Sequence, residues 1–459
     1  MQKSRLSVFI GPRELYVQML KIGVPVALQQ LITVGINLMD TIMLSQMGDA
    51  QLSASSLAGQ FINLFQIFCM GLGMGASVLT SRYWGMKDIG SLRKAVTIML
   101  RLTIAFASAF MLFTLLSPET IMRIYTTDDE IVALGLKYLA YMTPTYLCMG
   151  LSLTCTIVLR TVGQVRLPLY CSICAFFVNV FFNWVFIYGR LGAPRMEIAG
   201  AALGTLIARL FELAFICGYF FFIDKRIAYR IKHLFTRCGD LVREYLRISI
   251  PVLISDGLLA LGNNTVAVIM GRIGRTFVAA NAVTTIVQQL SSVMIQGVCN
   301  ASGIITGHTM GEGDLDKAQR QGYAFLGMGV ALGVFSAIVI MALKMPIINY
   351  YGVSLETRGI AMELMNAISF IVVFQSMNSI LTKGVLRAGG DTRFLMLGDI
   401  LFLWVASIPL GYLAGLVLNL PSFWIYSLLK IDQIIKCVWC VFRLKSRKWM
   451  KKIRAAQSA

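Results

Sequence analysis

The chain repeats itself at mid-length. Pro25, Asn37, Gly48, Ala54, Gly71, Thr80, Gly85 and Asp88 return as Pro251, Asn263, Gly274, Ala280, Gly297, Thr306, Gly311 and Asp314, each 226 positions later. Leu159, Arg160, Gly163 and Arg166 return 227 positions later as Leu386, Arg387, Gly390 and Arg393. The repeated residues are helix-kinking prolines, small residues that permit close packing, and loop glycines. What is duplicated is therefore a backbone plan more than a set of side chains. A duplicated hydrophobic chain of this kind points to two lobes with a transport site between them.

Composition places the chain in a bilayer. It is 57% hydrophobic and 14% charged, where a soluble domain carries about 25% charged residues. Its mean hydropathy is +0.73. A helix of about 20 apolar residues crosses a membrane. Twelve such stretches are expected, at 18–44, 53–80, 95–117, 134–157, 166–188, 197–223, 245–270, 279–306, 320–343, 359–383, 393–418 and 421–442. They are too long, and too little alternating, for the strands of a barrel. The predicted fold class is an all-α membrane protein with 12 transmembrane helices in two six-helix repeats. Six is even, so both repeats enter from the same face and are parallel, related by an axis along the membrane normal. The expected divisions are a first lobe over 1–223, a linker over 224–244, a second lobe over 245–442 and a basic tail over 443–459.

A net charge of +19 invites a nucleic-acid partner, but its distribution excludes one. Lys and Arg gather in alternate loops: Lys3, Arg5 and Arg13, then 82–94, 160–166, 225–247, 317–320, 387–393 and the tail from Arg443 to Arg454. The intervening loops carry Glu119, Asp128, Asp129 and Glu130. This is the positive-inside pattern, and it puts both termini in the cytoplasm. The tail Lys445–Arg454 is expected on anionic headgroups. The ten cysteines lie mostly in spans, where they act as small apolar residues; Cys437 and Cys440 form a CxxC without a second pair. His233 and His308 fall in or beside cytoplasmic loops, and no catalytic or zinc constellation is visible. An enzyme, a cofactor and a bound metal beyond a transported ion are not expected.

The phrases Gly71-x-Gly73-x-Gly75, Thr80-Ser-Arg-Tyr-Trp-Gly85, Gly384-Val-Leu-Arg-Ala-Gly-Gly-Asp-Thr-Arg393 and Asn179-x-x-x-Asn183 before Tyr188-Gly189 resemble the MATE family of multidrug and toxic-compound extruders. The resemblance covers roughly 15–445. It implies a V-shaped pair of six-helix lobes that exports amphiphilic, often cationic compounds, driven by inward H+ or Na+. It also implies a monomer in a bacterial inner membrane whose partners are the bilayer and small-molecule drugs. A lipid-linked precursor flippase of the same wider superfamily is the alternative, but it would need a strongly basic cavity, whereas the basic residues here lie mainly in loops.

Charges at membrane depth are costly and each needs a reason. Asp40 lies on the first span, and Thr33, Asn37 and Asp40 share a helix face by their spacing, with Gln29 or Gln30 extending it. That polar stripe is predicted to face the lobe interior and to bind a proton or cation, with Na+ at Asp40 as the one candidate metal. The family resemblance supports this, since its members carry an essential aspartate there. Asn179 and Asn183 are four apart on one face of the fifth span. In the DinF-like branch the second of these is usually aspartate; here it is Asn183, as in NorM-type members. Thr205 falls where the family places a further ligand, although plain interhelical hydrogen bonding is an equal alternative for Asn179 and Thr205.

In the second repeat, Asp256, Asn263, Gln375 and Asn378 are candidates for a polar site. Ser376 stands where NorM-type proteins carry an acid. Arg209 and Glu212, three apart, are expected to neutralise each other. Asp399 and Asp432 are expected as loop-facing anchors. Pro25 and Pro251 mark kinks, and the resemblance implies that the first acts as an ion-responsive bend. Phe65, Phe68, Phe177, Tyr141 and Tyr146 are candidate substrate contacts.

Overall fold

The protein is described by a computed structural model covering residues 9–350 and 354–452. Lys3, Arg5 and Arg454 lie outside the described residues. The first repeat contains α1 (Arg13–Ser45), α2 (Asp49–Gly85), α3 (Ile89–Leu116), α4 (Pro118–Tyr125), α5 (Asp129–Met142), α6 (Thr145–Thr161), α7 (Arg166–Tyr188) and α8 (Ile198–Gly218). The second contains α9 (Gly239–Ile273), α10 (Arg275–Glu312), α11 (Leu315–Tyr350), α12 (Leu355–Ser379), α13 (Thr392–Ile400), α14 (Ile408–Tyr412), α15 (Ser422–Leu429) and α16 (Ile431–Lys445). Among the described residues, nine helices are long and apolar enough to cross a membrane, or up to eleven if two bent pairs each count as one span.

The breaks have local causes. The expected fourth span is α5 plus α6, bent by 51°. Pro144 lies in that junction, where a helix loses a backbone donor. The expected twelfth span is α15 plus α16, interrupted at Lys430 (φ −120°, ψ 18°). It carries Lys430, Asp432 and Lys436. π-Helical turns follow α8 (Tyr219–Ile223), α12 (Ile380–Leu386), α13 (Leu401–Ser407) and α14 (Leu413–Val417). The repeated glycines Gly163 and Gly390 have φ of +78° and +76°. Only a residue without Cβ adopts this freely, which explains why both copies of that loop keep glycine.

The chain forms two compact units. One gathers the chain up to Ala27, the segment Ser81–Lys87 and everything from Ile250; the other holds Leu28–Thr80 and Asp88–Ser249. Helix α1 passes from one unit to the other just past Pro25, and α9 does so just before Pro251. Both helices are continuous across their prolines.

Within each unit the duplication reappears as paired contacts. In the second unit, a Cβ on Gly75 would lie 2.6 Å from Cα of Ser249. The 226-residue equivalents, Ala301 and Gly23, touch in the first unit, where a Cβ on Gly23 would lie 3.7 Å from Cβ of Ala301. Also in the first unit, a Cβ on Gly85 would lie 2.2 Å from the carbonyl oxygen of His308, and one on Gly311 would lie 2.2 Å from that of Arg82. His308 is the repeat equivalent of Arg82, and Gly311 that of Gly85. One close backbone approach is thus made twice.

The linker and tail are packed rather than loose. Asp224 is fully buried, and its carboxylate accepts the backbone N–H groups of Arg226, Ile227 and Ala228. Arg93 donates to the carbonyl of Ile227 at 2.8 Å, and Thr97 bonds Tyr229 at 2.8 Å. The tail is anchored through one aromatic side chain, while its Lys445, Arg447, Lys448, Lys451 and Lys452 stay exposed. Trp449 is fully buried, donates its indole N–H to Gln319 at 2.9 Å, and covers Gly389. Burying an indole removes roughly 200 Å² from water, on the order of 5 kcal/mol gross, which fixes the tail to the helices beneath it.

Gly85→Val and Gly311→Val push a side chain into backbone. Each is expected to cost about 1–3 kcal/mol, whereas Gly59→Ala, which meets nothing within 4 Å, is expected to be neutral or stabilising; thermal melting in detergent compares them. A second expectation concerns pH. His233 accepts the backbone N–H of Arg230 at its Nδ1, 2.9 Å away. Burial, then the nearby Arg93, hold its pKa below the ordinary 6.5. Because the folded value is lowered, the stabilisation is present above the ordinary histidine range and is lost as pH falls through the folded value. Amide exchange in the linker should therefore speed up on acidification, and His233→Gln should remove that response.

Candidate functional site

Four of the first repeat's candidate residues meet in one hydrogen-bonded chain. Asn183, fully buried on α7, donates its amide to Asp40 Oδ1 of α1 at 2.6 Å and to Asn179 Oδ1 at 3.2 Å. Asn179 donates to Thr205 Oγ1 of α8 at 3.3 Å. The four-residue spacing on α7 puts both amides on one face, turned towards α1 and α8. Asn183 Oδ1 is buried without a hydrogen-bond partner, and Asp40 makes no salt bridge among the described residues. Two carboxylate oxygens, two amide oxygens and a hydroxyl form a donor set suited to a hard cation, or to a proton held on the acid.

Glycine shapes this site. A Cβ on Gly204 would lie 2.2 Å from Asn183 Oδ1, so α8 approaches only because it has no side chain there. Below the cluster, Arg160 of α6 donates to Gln29 Oε1 of α1, and Gln29 donates to Ser172 at 2.9 Å. Thr33 is half-buried and bonds back to the carbonyl of Gln29 at 3.1 Å. Asn37 and Gln30 are exposed and stand outside this network. The stripe read from the sequence therefore divides: Gln29, Thr33 and Asp40 turn inward, while Asn37 lies on the neighbouring face. Arg209 pairs with Glu212 at 2.8 Å, as expected from their spacing.

The second repeat is built on ion pairs. Arg387 pairs with Asp256 at 3.2 Å. Arg387 is the repeat equivalent of Arg160, and Asp256 that of Gln30, so each repeat sends an arginine to its first helix. Asn263 is exposed and accepts from Lys430 at 3.2 Å. Asn378 is buried and donates to Gln433 at 2.9 Å; Gln375 is half-buried.

Asp399 and Asp432 correct the expectation of loop-facing anchors. Their side chains are 9% and 2% exposed, and both flank the ammonium of Lys436 at 3.1 Å. An unpaired carboxylate in that interior would cost several kcal/mol, so the lysine is required where the acids are buried. Sequence reasoning overlooked Lys436, although Asp432-x-x-x-Lys436 in an apolar stretch was a readable signal.

Of the aromatic candidates, Phe65 and Tyr146 are fully buried and pack against each other at 5.1 Å between ring centroids, which removes them as substrate contacts. Phe68 stacks on Phe106 at 5.8 Å. Phe177 and Tyr141 are exposed. Among the described residues, no group of three or more His, Cys, Asp and Glu is placed to hold a metal ion.

An all-helical, duplicated chain with polar clusters at membrane depth defines a multi-pass membrane transporter rather than an enzyme. The MatE family profile matches it twice, over residues 25–185 and 251–413, and those two starts are the repeated prolines. The chain belongs to the MatE family. It is similar to the probable multidrug resistance protein NorM of Agrobacterium fabrum, with 25% identity over 86% of this chain and 87% of that one. It is also similar to the uncharacterised transporter YisQ of Bacillus subtilis, with 21% identity over 90% of each chain. Among solved structures, the fold matches a MATE protein in a straight conformation with a TM-score of 0.85 at 17% identity, covering 98% of this chain and all of that one. It matches a MATE protein in a bent conformation with a TM-score of 0.84 at 17% identity, covering 97% and 99%.

Gly204→Ala tests the shape of the Asp40 cluster. It is expected to displace the Asn183 amide and lower transport at least tenfold while melting shifts by only a few degrees. Ala at Gly218, which meets nothing within 4 Å, should leave transport unchanged.

Proposed function

We propose that this chain is a secondary active exporter of amphiphilic, often cationic compounds, exchanging them for inward H+ or Na+ at Asp40. The observation that carries the reading is the Asp40–Asn183–Asn179–Thr205 chain, a single carboxylate with oxygen ligands that makes no direct ion pair among the described residues; Arg209, in Coulombic reach of it, is itself paired with Glu212. The NorM relatives, named as multidrug resistance proteins, support the substrate class. The protein works as a monomer in the bacterial inner membrane with both termini in the cytoplasm, in keeping with its alternating basic loops.

Occluding a bare carboxylate is unfavourable, and a proton or Na+ on Asp40 removes that cost. Ion entry thereby permits a conformational change that is blocked when the acid is empty, and α1, with Pro25 below Asp40, carries it. Exchange then follows alternating access, with drug released outward and the ion inward. One charge crossing about 100 mV supplies about 2.3 kcal/mol, and one pH unit adds about 1.4 kcal/mol. Together they sustain a drug gradient of roughly a few hundredfold, since about 1.4 kcal/mol is a factor of ten.

The test is dye accumulation in everted vesicles, with ΔpH and ΔNa+ imposed separately. Wild type is expected to move dye under one gradient, and folded, inserted Asp40→Asn under neither. Wild-type rates from Asp40→Asn would end the proposal.

A further inference from the structure

The Asp399–Lys436–Asp432 cluster has the ligands of a cation site and a cation of its own. Lys436 Nζ lies 3.1 Å from Asp399 Oδ1 and 3.1 Å from Asp432 Oδ2. Further oxygens surround the acids. Ser255 of α9 donates to Asp399 Oδ2. Ser407 donates to Asp432 Oδ1 at 3.0 Å and accepts the backbone N–H of Asp432 at 2.9 Å. Gln433 donates to Asp432 Oδ2 at 2.7 Å and accepts from Asn378 of α12. Asn378 is 6% exposed, and its Oδ1 has no hydrogen-bond partner. That leaves a buried acceptor at the end of the network, which a hard cation could use.

The helices are irregular at this level. A π-helical turn begins two residues after Asp399 and ends at Ser407; another begins two residues after Asn378; and α16 restarts just before Asp432. Such turns release backbone from the regular ladder and are frequent at functional sites. Yet the charges already balance. Arg387, paired with Asp256, lies in Coulombic reach of Asp399, and Lys430, bonded to Asn263, lies in reach of Asp432. The thiol of Cys440 also lies in Coulombic reach of Asp399. Asp256, Asp399 and Asp432 are thus matched by Arg387, Lys430 and Lys436 with no ion added.

We propose that Lys436 is a tethered cation. Its ammonium fills, in the second repeat, a site otherwise fit for an alkali cation, so that coupling ions enter and leave this chain only in the first repeat. The idea rests on the reading of Asp40 as the exchanging acid. An ammonium on a four-carbon stem supplies three donors and one positive charge at a fixed place; it neutralises the two carboxylates but cannot diffuse away. The second repeat then holds its charge constant through the transport cycle, and the ion stoichiometry is set by Asp40 alone.

The experiment uses the full-length chain in detergent, as wild type, Asp40→Asn and Asp40→Asn/Lys436→Ala. Thermal melting is followed against Na+ with choline as the control, alongside substrate-evoked proton release. Asp40→Asn is expected to show neither a Na+-dependent midpoint nor proton release. The double variant is expected to gain a midpoint that rises with each tenfold increase in Na+ and ignores choline, because the vacated oxygens now take the ion. A monodisperse double variant that ignores Na+ would overturn the proposal, as would Asp40→Asn that still responds to Na+ or still releases protons. If Lys436→Ala does not fold, Asp40→Asn decides by the same two readouts. Failure of the proposed function looks different: wild type and Asp40→Asn would then behave alike in transport and ion response, whatever the double variant does.

Discussion

A charge inside a hydrocarbon layer must find its counter-charge or its hydrogen bonds within the protein, because no water is there to supply them. The rest of this structure follows from how that requirement is met. In the first repeat Asp40 is met by an amide chain, Asn183 to Asn179 to Thr205. Amides stabilise a carboxylate without neutralising it. In the second repeat Asp399 and Asp432 are met by Lys436, which neutralises them outright. The same backbone plan therefore carries one repeat whose acid is met by amides and one whose acids are met by a lysine.

The duplication makes this contrast possible. Arg160 and Arg387 each reach from a later helix of their repeat to its first helix, but one finds Gln29 and the other Asp256. Gly85 and Gly311 each clear room for a backbone carbonyl. The glycines are shared because two helices cannot approach so closely with a Cβ in the way. The polar side chains differ because nothing in the close packing constrains them. Repetition preserves the scaffold while each copy's chemistry diverges.

Much of the fold was legible beforehand. The helices, their order and the duplication followed from apolar length and from repeated Pro and Gly. The Asp40, Asn179, Asn183 and Thr205 group was legible too, from helical spacing and family resemblance. Asn37 was misplaced onto the inward stripe because three residues on one side of a helix span a wide arc, and packing decides where the buried edge falls. The burial of Trp449 in the tail was not legible, because a run of Lys and Arg surrounds it. Position along a span does not give burial, so Asp399 and Asp432 are enclosed despite lying near span ends, and Lys436, on another helix from Asp399, answers both.

The sequence by itself determined an all-helical, twice-written membrane chain, since hydrocarbon tolerates only backbones that satisfy their own hydrogen bonds, and segment length and apolarity declare them. It also determined that acids lie at membrane depth. Which groups answer those acids was decided only by tertiary structure. Asp40 meets Asn183 across 143 residues of chain, and Asp399 meets Lys436 from another helix. Contact between helices depends on their rotation and approach, and those are set by packing summed over the whole unit rather than by any local stretch of residues.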